Sequence, residues 1–144
     1  MILILSRAEH DLDVVLHDIK TAFPYSDLQP NEDIYLRRPT GFTDNIMPHI
    51  VKLKKCLYGV PQASKYFDGH LSSDLLAMAF IRCISDAEVF SLPRGGKQVI
   101  MSKHVDDCLL AATRGSKILS FVQQEFEKSY QLTANVEPTN FSYP

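Results

Sequence analysis

The sequence predicts an α+β fold in which helices cover one face of an antiparallel sheet. Three observations carry that expectation: a helical apolar stripe between Ala63 and Phe80, two successive hairpin signals between Ala87 and Cys108, and an element order of α, β, α, β, β, α, β hairpins, α. A length of 144 residues with 45% hydrophobic content suits a single domain with its own core.

The apolar opening, Met1 to Leu5, is followed at once by Arg7, Glu9, His10 and Asp11. That is too short for a membrane span and unlike a cleavable signal, so a short helix is expected over the first ten residues. Leu12, Val14, Leu16 and Asp18 then alternate with Asp13, Val15 and His17 at the period of a strand, with Asp18 at its C-terminal end. Lys20-Thr21-Ala22-Phe23 reads as the start of a helix. Ile34-Tyr35-Leu36 reads as a second strand, closed by Pro39, Thr40 and Gly41, and His49 to Leu53 as a third.

From Ala63 to Phe80, Phe67, Leu71, Leu75 and Met78 step by three or four, with Tyr66, Leu76 and Phe80 alongside, the pattern of an amphipathic helix that needs a sheet to cover. Ala87 to Leu92 and Gln98 to Met101 are apolar runs joined by Pro93-Arg94-Gly95-Gly96, a hairpin signal. His104-Val105-Asp106-Asp107-Cys108 sets two acids between apolar flanks, where a tight turn would hold both carboxylates near its tip. Ser116 is then placed to cap a helix bearing Ile118, Val122 and Phe126, widened by Leu119 and Phe121. The tail from Pro138 to Pro144 reads as poorly ordered or cut short.

A net charge of −2 leaves no global basic field, so affinity for nucleic acid has to come from local clusters. Cys56, Cys83 and Cys108 are odd in number, widely spaced and without a CxxC pair, which argues against a zinc site and for a reducing intracellular location, cytoplasmic or nuclear. Small-core packing is the expectation for Cys108.

Two adjacent aspartates in an apolar segment need neutralising, because unpaired carboxylates near a core cost several kcal/mol or take up protons. A divalent ion is the economical partner, and Asp18 at a strand end would complete the set, since Mg²⁺ favours a few carboxylates, waters and phosphates. The competing readings are a polar hairpin turn for Asp106-Asp107 and a helix N-cap for Asp18. Lys52, Lys54 and Lys55 form a basic stretch suited either to nucleic-acid phosphate or to a solvated strand face.

Four ordered blocks then converge on one family. Asp18-Ile19-Lys20-Thr21-Ala22-Phe23 resembles the D-V-K-T-A-F segment of copia-type retrotransposon reverse transcriptases. Asp33-Ile34-Tyr35-Leu36 with Pro39, Gly41 and Phe42 follows in the same order, then Leu53-Lys54-Lys55-Cys56-Leu57-Tyr58-Gly59-Val60 with Gln62-Ala63, then Val105-Asp106-Asp107. The resemblance implies a polymerase-palm-like fold, residues 1–144 forming a partial reverse transcriptase domain, truncated at both ends and lacking most of the fingers and thumb. It implies RNA-directed DNA polymerase chemistry on two Mg²⁺ ions, with Mn²⁺ as a substitute, held by Asp18, Asp106 and Asp107. By the same resemblance Phe23 is the steric gate against a ribose 2′-hydroxyl and Gln62 lies against the incoming nucleotide. As isolated residues they read as a core phenylalanine and a polar group at a helix start.

The implied partners are an RNA or DNA template-primer, deoxynucleotide triphosphates and the rest of a Pol polyprotein, with no membrane. Departures from the family pattern are His104 where Tyr or Phe is usual, Pro24 where Leu is usual, and Ala87 in place of a proline. With the ends missing, they also motivate a second expectation, a non-catalytic retrotransposon remnant that keeps the fold. A third, a metal-dependent hydrolase, has the carboxylates alone in its favour.

Overall fold

A computed structural model describes residues 12–38, 41 and 49–133. The helix expected over residues 1–10, Pro39, Thr40, Phe42 and the 138–144 tail lie outside these residues. The described residues divide into two compact units, 12–21 with 71–133, and those within 22–70.

In the first unit the strand alternation of Leu12–Asp18 becomes β1. Ile81–Arg82, Val89–Arg94, Lys97–His104 and Asp107–Thr113 form β4, β5, β6 and β7, and together they make a five-stranded antiparallel sheet in the order β1-β7-β6-β5-β4. The β5–β6 hairpin turns on Gly95-Gly96 alone, both at positive φ (59° and 75°), a backbone that glycine adopts without penalty. Pro93 therefore lies inside β5, not in the turn, and it sits beyond the last β4 pairing, Ile81 with Ser91, where its missing N–H faces an unpaired edge.

The register gathers buried residues into rows on one face. Val15, Leu110, Met101 and Phe90 lie in one cross-strand row, and Ala112, Val99 and Leu92 in another; apart from half-buried Val15 these side chains are buried. Helix α2, Ile118–Glu127, packs against β6 and β7 and buries Ile118, Val122 and Phe126, as its spacing predicts, while Leu119 and Phe121 are half-buried. Arg94 lies 3.8 Å from the centre of the Phe121 ring. The expected cap is not formed: Lys117 is the N-cap, no side chain caps the helix, and the Ser116 hydroxyl is buried without a partner among the described residues. Its main-chain N–H is instead taken by the Thr113 carbonyl, which closes the turn out of β7 before the helix begins.

Helix α1, Ala63–Ala77, starts where the sequence predicts. Phe67, Leu71 and Leu75 are fully buried, but Leu76 is exposed and the helix stops short of Phe80. The stop is a Schellman motif: the Phe80 N–H donates to the Leu75 carbonyl and the Ala79 N–H to the Leu76 carbonyl, both at 3.0 Å, with Ala79 left-handed at φ 67°. Leu75 and Phe80, the pair such a motif brings together, are both buried. An alanine where glycine is usual strains the backbone, so Ala79→Gly is expected to stabilise the fold by about 0.5–1 kcal/mol, the relief of strain exceeding the added unfolded-chain entropy. Urea unfolding measures it; a lower midpoint would show that Ala79 is not strained.

The second unit holds β2, Tyr35–Arg37, and β3, Ile50–Lys52, paired as a two-stranded ribbon. The helix expected from Lys20 is reduced to a 3-10 turn, Phe23–Tyr25. Thr21 is left-handed at φ 50°, and Ser26 is extended because its carbonyl accepts the Cys56 N–H at 2.9 Å. Tertiary pairing, continued by an Asp27–Lys55 bridge, wins over the local helical tendency. Among the described residues of this unit, Ala22, Cys56, Ala63 and Phe67 are the buried apolar ones.

Candidate active site

β1 and β7 pair over seven residues, from Leu12 opposite Thr113 to Asp18 opposite Asp107. The Ile19 N–H donates to the Asp106 carbonyl at 2.9 Å, which makes Asp18 and Asp107 a non-hydrogen-bonded pair. Such pairs bring Cα atoms to about 4.5 Å and direct both side chains to the same face. Two carboxylates are thus placed side by side by backbone pairing, and the same bond ties the Asp106 main chain to the end of β1.

The β6–β7 hairpin has a two-residue loop, Val105-Asp106, closed by His104 opposite Asp107. φ is +55° at Val105 and not positive at Asp106, the pattern of a type II′ turn whose first position favours glycine. A β-branched residue there is strained. Val105→Gly is expected to raise stability by about 1 kcal/mol; an unchanged or lower unfolding midpoint would count against strain at the tip.

Asp18 is held from its other side as well. The Thr133 N–H donates to the Asp18 carbonyl at 2.9 Å, the Lys20 N–H donates to the Gln131 carbonyl at 2.8 Å, and the Thr133 hydroxyl lies 3.1 Å from Asp18 Oδ2. The three acids feel one another. Burial first, and then the charges of Asp106 and Asp18, push the Asp107 carboxyl above its ordinary range, against the pull of His104. Among the described residues neither Asp106 nor Asp107 is ion-paired with a lysine or arginine.

Like-charged, accessible oxygens of this kind suit a hard divalent cation in the character of the donors. In their present side-chain positions they are not closed around one point: among the described residues no three His, Cys, Asp or Glu side chains form a group able to hold an ion.

Behind the carboxylates, on the opposite face of the sheet, runs a polar row that sequence reading missed. His17 pairs with Cys108, and Cys108 with Lys103. All three are buried, and Lys103 Nζ reaches Glu88 Oε2 at 2.8 Å. Burial pushes the Cys108 thiol up to about 12, so it is a protonated packing group, as expected from sequence. Burial lowers the pKa of His17, opposed by Glu127, and its Nδ1 has no partner among the described residues. For Lys103 a signal was present: it continues the inward alternation of Val99 and Met101. Thr133 carried none.

Phe23 and Gln62 belong to the second unit. The Phe23 ring is half-buried, 4.5 Å from Tyr58 and 6.4 Å from Phe67, centre to centre. Gln62 precedes α1, and its Nε2 donates to Glu32 Oε1 at 3.2 Å. Lys52 is ion-paired with Asp33, which lowers the pKa of the acid and raises that of the amine, and Lys55 lies 3.9 Å from Asp27. Both pairs are exposed and screened by solvent. Lys54 is exposed between them, its carbonyl accepting the Leu28 N–H at 3.2 Å.

Comparison with known proteins supplies a family. The family model described as reverse transcriptase (RNA-dependent DNA polymerase) matches residues 1–141. The retrovirus-related Pol polyprotein from transposon RE1 of Arabidopsis thaliana is 38% identical over 94 residues, 65% of this chain and 6% of that protein. The corresponding polyprotein from transposon TNT 1-94 of Nicotiana tabacum is 31% identical over 127 residues, 87% of this chain and 9% of that protein. The chain thus spans less than a tenth of the length of these relatives. No solved structure matches.

Proposed function

Because the chain belongs to the reverse transcriptase (RNA-dependent DNA polymerase) family, we propose that its antiparallel sheet is the polymerase palm and that Asp18, Asp106 and Asp107 are its metal-binding carboxylates. The observation that supports this most is the pairing of Asp18 with Asp107 beside a strained two-residue hairpin. The reaction is addition of deoxynucleotides to a primer 3′-hydroxyl on an RNA or DNA template.

The three acids would hold two Mg²⁺ ions, or Mn²⁺ in their place. When bound, the ions lower the pKa of the attacking hydroxyl and stabilise the pyrophosphate leaving group. The chain's own contribution is placement. β1 and β7 hold Asp18 and Asp107 abreast, the Ile19 bond holds Asp106 at the tip, and the Thr133 hydroxyl restrains one Asp18 oxygen.

In this reading Phe23 excludes the ribose 2′-hydroxyl and Gln62 contacts the incoming nucleotide. Lys52, Lys54 and Lys55 meet template-primer phosphate, which requires exchanging the Asp33 and Asp27 contacts for phosphate at a salt-dependent gain. The domain acts inside the cell as part of a longer Pol polyprotein.

The alternative, a non-catalytic remnant, is favoured by those same lysine–aspartate pairs, which already occupy two of the three basic groups. Primer extension decides between them. The chain expressed with its flanking coding sequence is expected to extend a DNA primer on an RNA template with Mg²⁺ and to stop on chelation. No Mg²⁺-dependent extension in that context would favour the remnant.

A further inference from the structure

The glutamine proposed to meet the nucleotide does not stand alone. Its carboxamide, the phenol of Tyr66 one helical turn later and the carboxylate of Glu32 form one cluster within the second unit. Gln62 Nε2 donates to Glu32 Oε1 at 3.2 Å, and the Tyr66 hydroxyl donates to the same oxygen at 2.6 Å. The Gln62 carbonyl accepts the Tyr66 N–H at 3.1 Å, so the main chain holds the two residues in step at the start of α1. Glu32 is itself delivered by a tight turn, Gln29-Pro30-Asn31-Glu32, closed by its N–H on the Gln29 carbonyl at 2.9 Å with proline at the second position.

We propose that Glu32 is a positioning residue that selects the orientation of the Gln62 carboxamide for nucleotide binding, an inference that rests on the polymerase reading above. A carboxamide has one donor end and one acceptor end, and an ionised carboxylate only accepts. Glu32 therefore admits the NH₂ end of Gln62 and repels the oxygen end. Of the two flipped states one is kept, leaving the Gln62 carbonyl oxygen and its second N–H to meet a ligand. Tyr66, bonded to the same oxygen, stops the carboxylate from following the amide if it swings away. The bond to Glu32, together with burial, pushes the phenol up to about 12.

Glu32 Oε2 is buried with no partner among the described residues, so the carboxylate's bonds to its neighbours run through Oε1. Burying a carboxylate oxygen unsatisfied costs stability, which the bonds that Oε1 accepts from Gln62 and Tyr66 offset. A role in orientation accounts for a carboxylate there; filling space alone does not.

The test is a double-mutant cycle on the chain expressed with its flanking coding sequence, read by primer extension. Glu32→Ala is expected to raise KM for the deoxynucleotide about tenfold, the scale of losing one hydrogen bond to a charged group, with kcat and primer-template affinity nearly unchanged. Glu32→Gln, whose amide can present either its oxygen or its NH₂ to Gln62, should recover only part of the loss. Glu32→Ala combined with Gln62→Ala should be no worse than Gln62→Ala alone. Additive effects, or an unchanged KM in a Glu32→Ala variant whose Asp106→Asn counterpart is inactive, would overturn this proposal and leave the polymerase reading standing. Wild-type extension by Asp106→Asn would instead overturn that reading. Independently of activity, ¹⁵N relaxation of the Gln62 side-chain amide in the 144-residue chain should show it rigid in the wild type and mobile in Glu32→Ala. Equal mobility in both would also overturn the proposal.

Discussion

Asp106→Asn is expected to lower the rate of primer extension by about a thousandfold or more while leaving the fold intact. The loss follows from chemistry: stabilising transition-state charge through bound ions is worth several kcal/mol, and each 1.36 kcal/mol is tenfold in rate. Asparagine keeps the size of the side chain and the main-chain carbonyl that accepts the Ile19 N–H. It removes only a ligand charge. Stability should not fall, because Asp106 is one of the charges that push the Asp107 carboxyl up, and its neutralisation relieves that repulsion. Single-turnover extension and thermal melting together make the measurement. A well-folded variant extending at the wild-type rate would refute the assignment, and an unfolded one would show that Asp106 serves the hairpin instead.

Phe23→Ala is expected to reduce discrimination against ribonucleotides by roughly ten- to hundredfold, the factor equivalent to relieving an overpacked contact of about 1–3 kcal/mol. The ratio of kcat/KM for matched deoxy- and ribonucleotides reads it directly. The same change removes the ring that lies against Tyr58 and Phe67, where an aromatic pair contributes about 0.5–1.5 kcal/mol beyond buried area, so a modest fall in stability should accompany it. Lower stability with unchanged sugar selection would make Phe23 a packing residue only. Its half-burial leaves part of the ring available for the second role.

Much of the sheet was legible because its signals are local. The alternation of Leu12 to Asp18 marks β1 over the residues observed, and the two glycines at 95 and 96 mark a hairpin whatever surrounds them. Errors arose where a distant partner decided or where the usual local marker was missing. The helix read from Lys20 gave way to pairing of Ser26 with Cys56, and the end of α1 was missed because alanine, not glycine, occupies its left-handed stop. β4, two residues long, exists through its pairing with β5 and has no period to be read.

The sequence by itself determined which groups are proposed for the chemistry: three aspartates, with Phe23 and Gln62 in family order, on segments whose strand or helix character is a property of nearest neighbours. Only the tertiary structure decided what those groups face. Asp18 meets Asp107 through the register of β1 on β7, Lys103 finds Glu88 beneath the sheet, and Gln62 finds Glu32 thirty residues away. The physical reason is that a hydrogen bond or a carboxylate pair depends on ångström-scale separation, and chain closure over tens of residues leaves no periodic trace in composition. Residue type can be read one position at a time; a partner is known only once the loop between is closed.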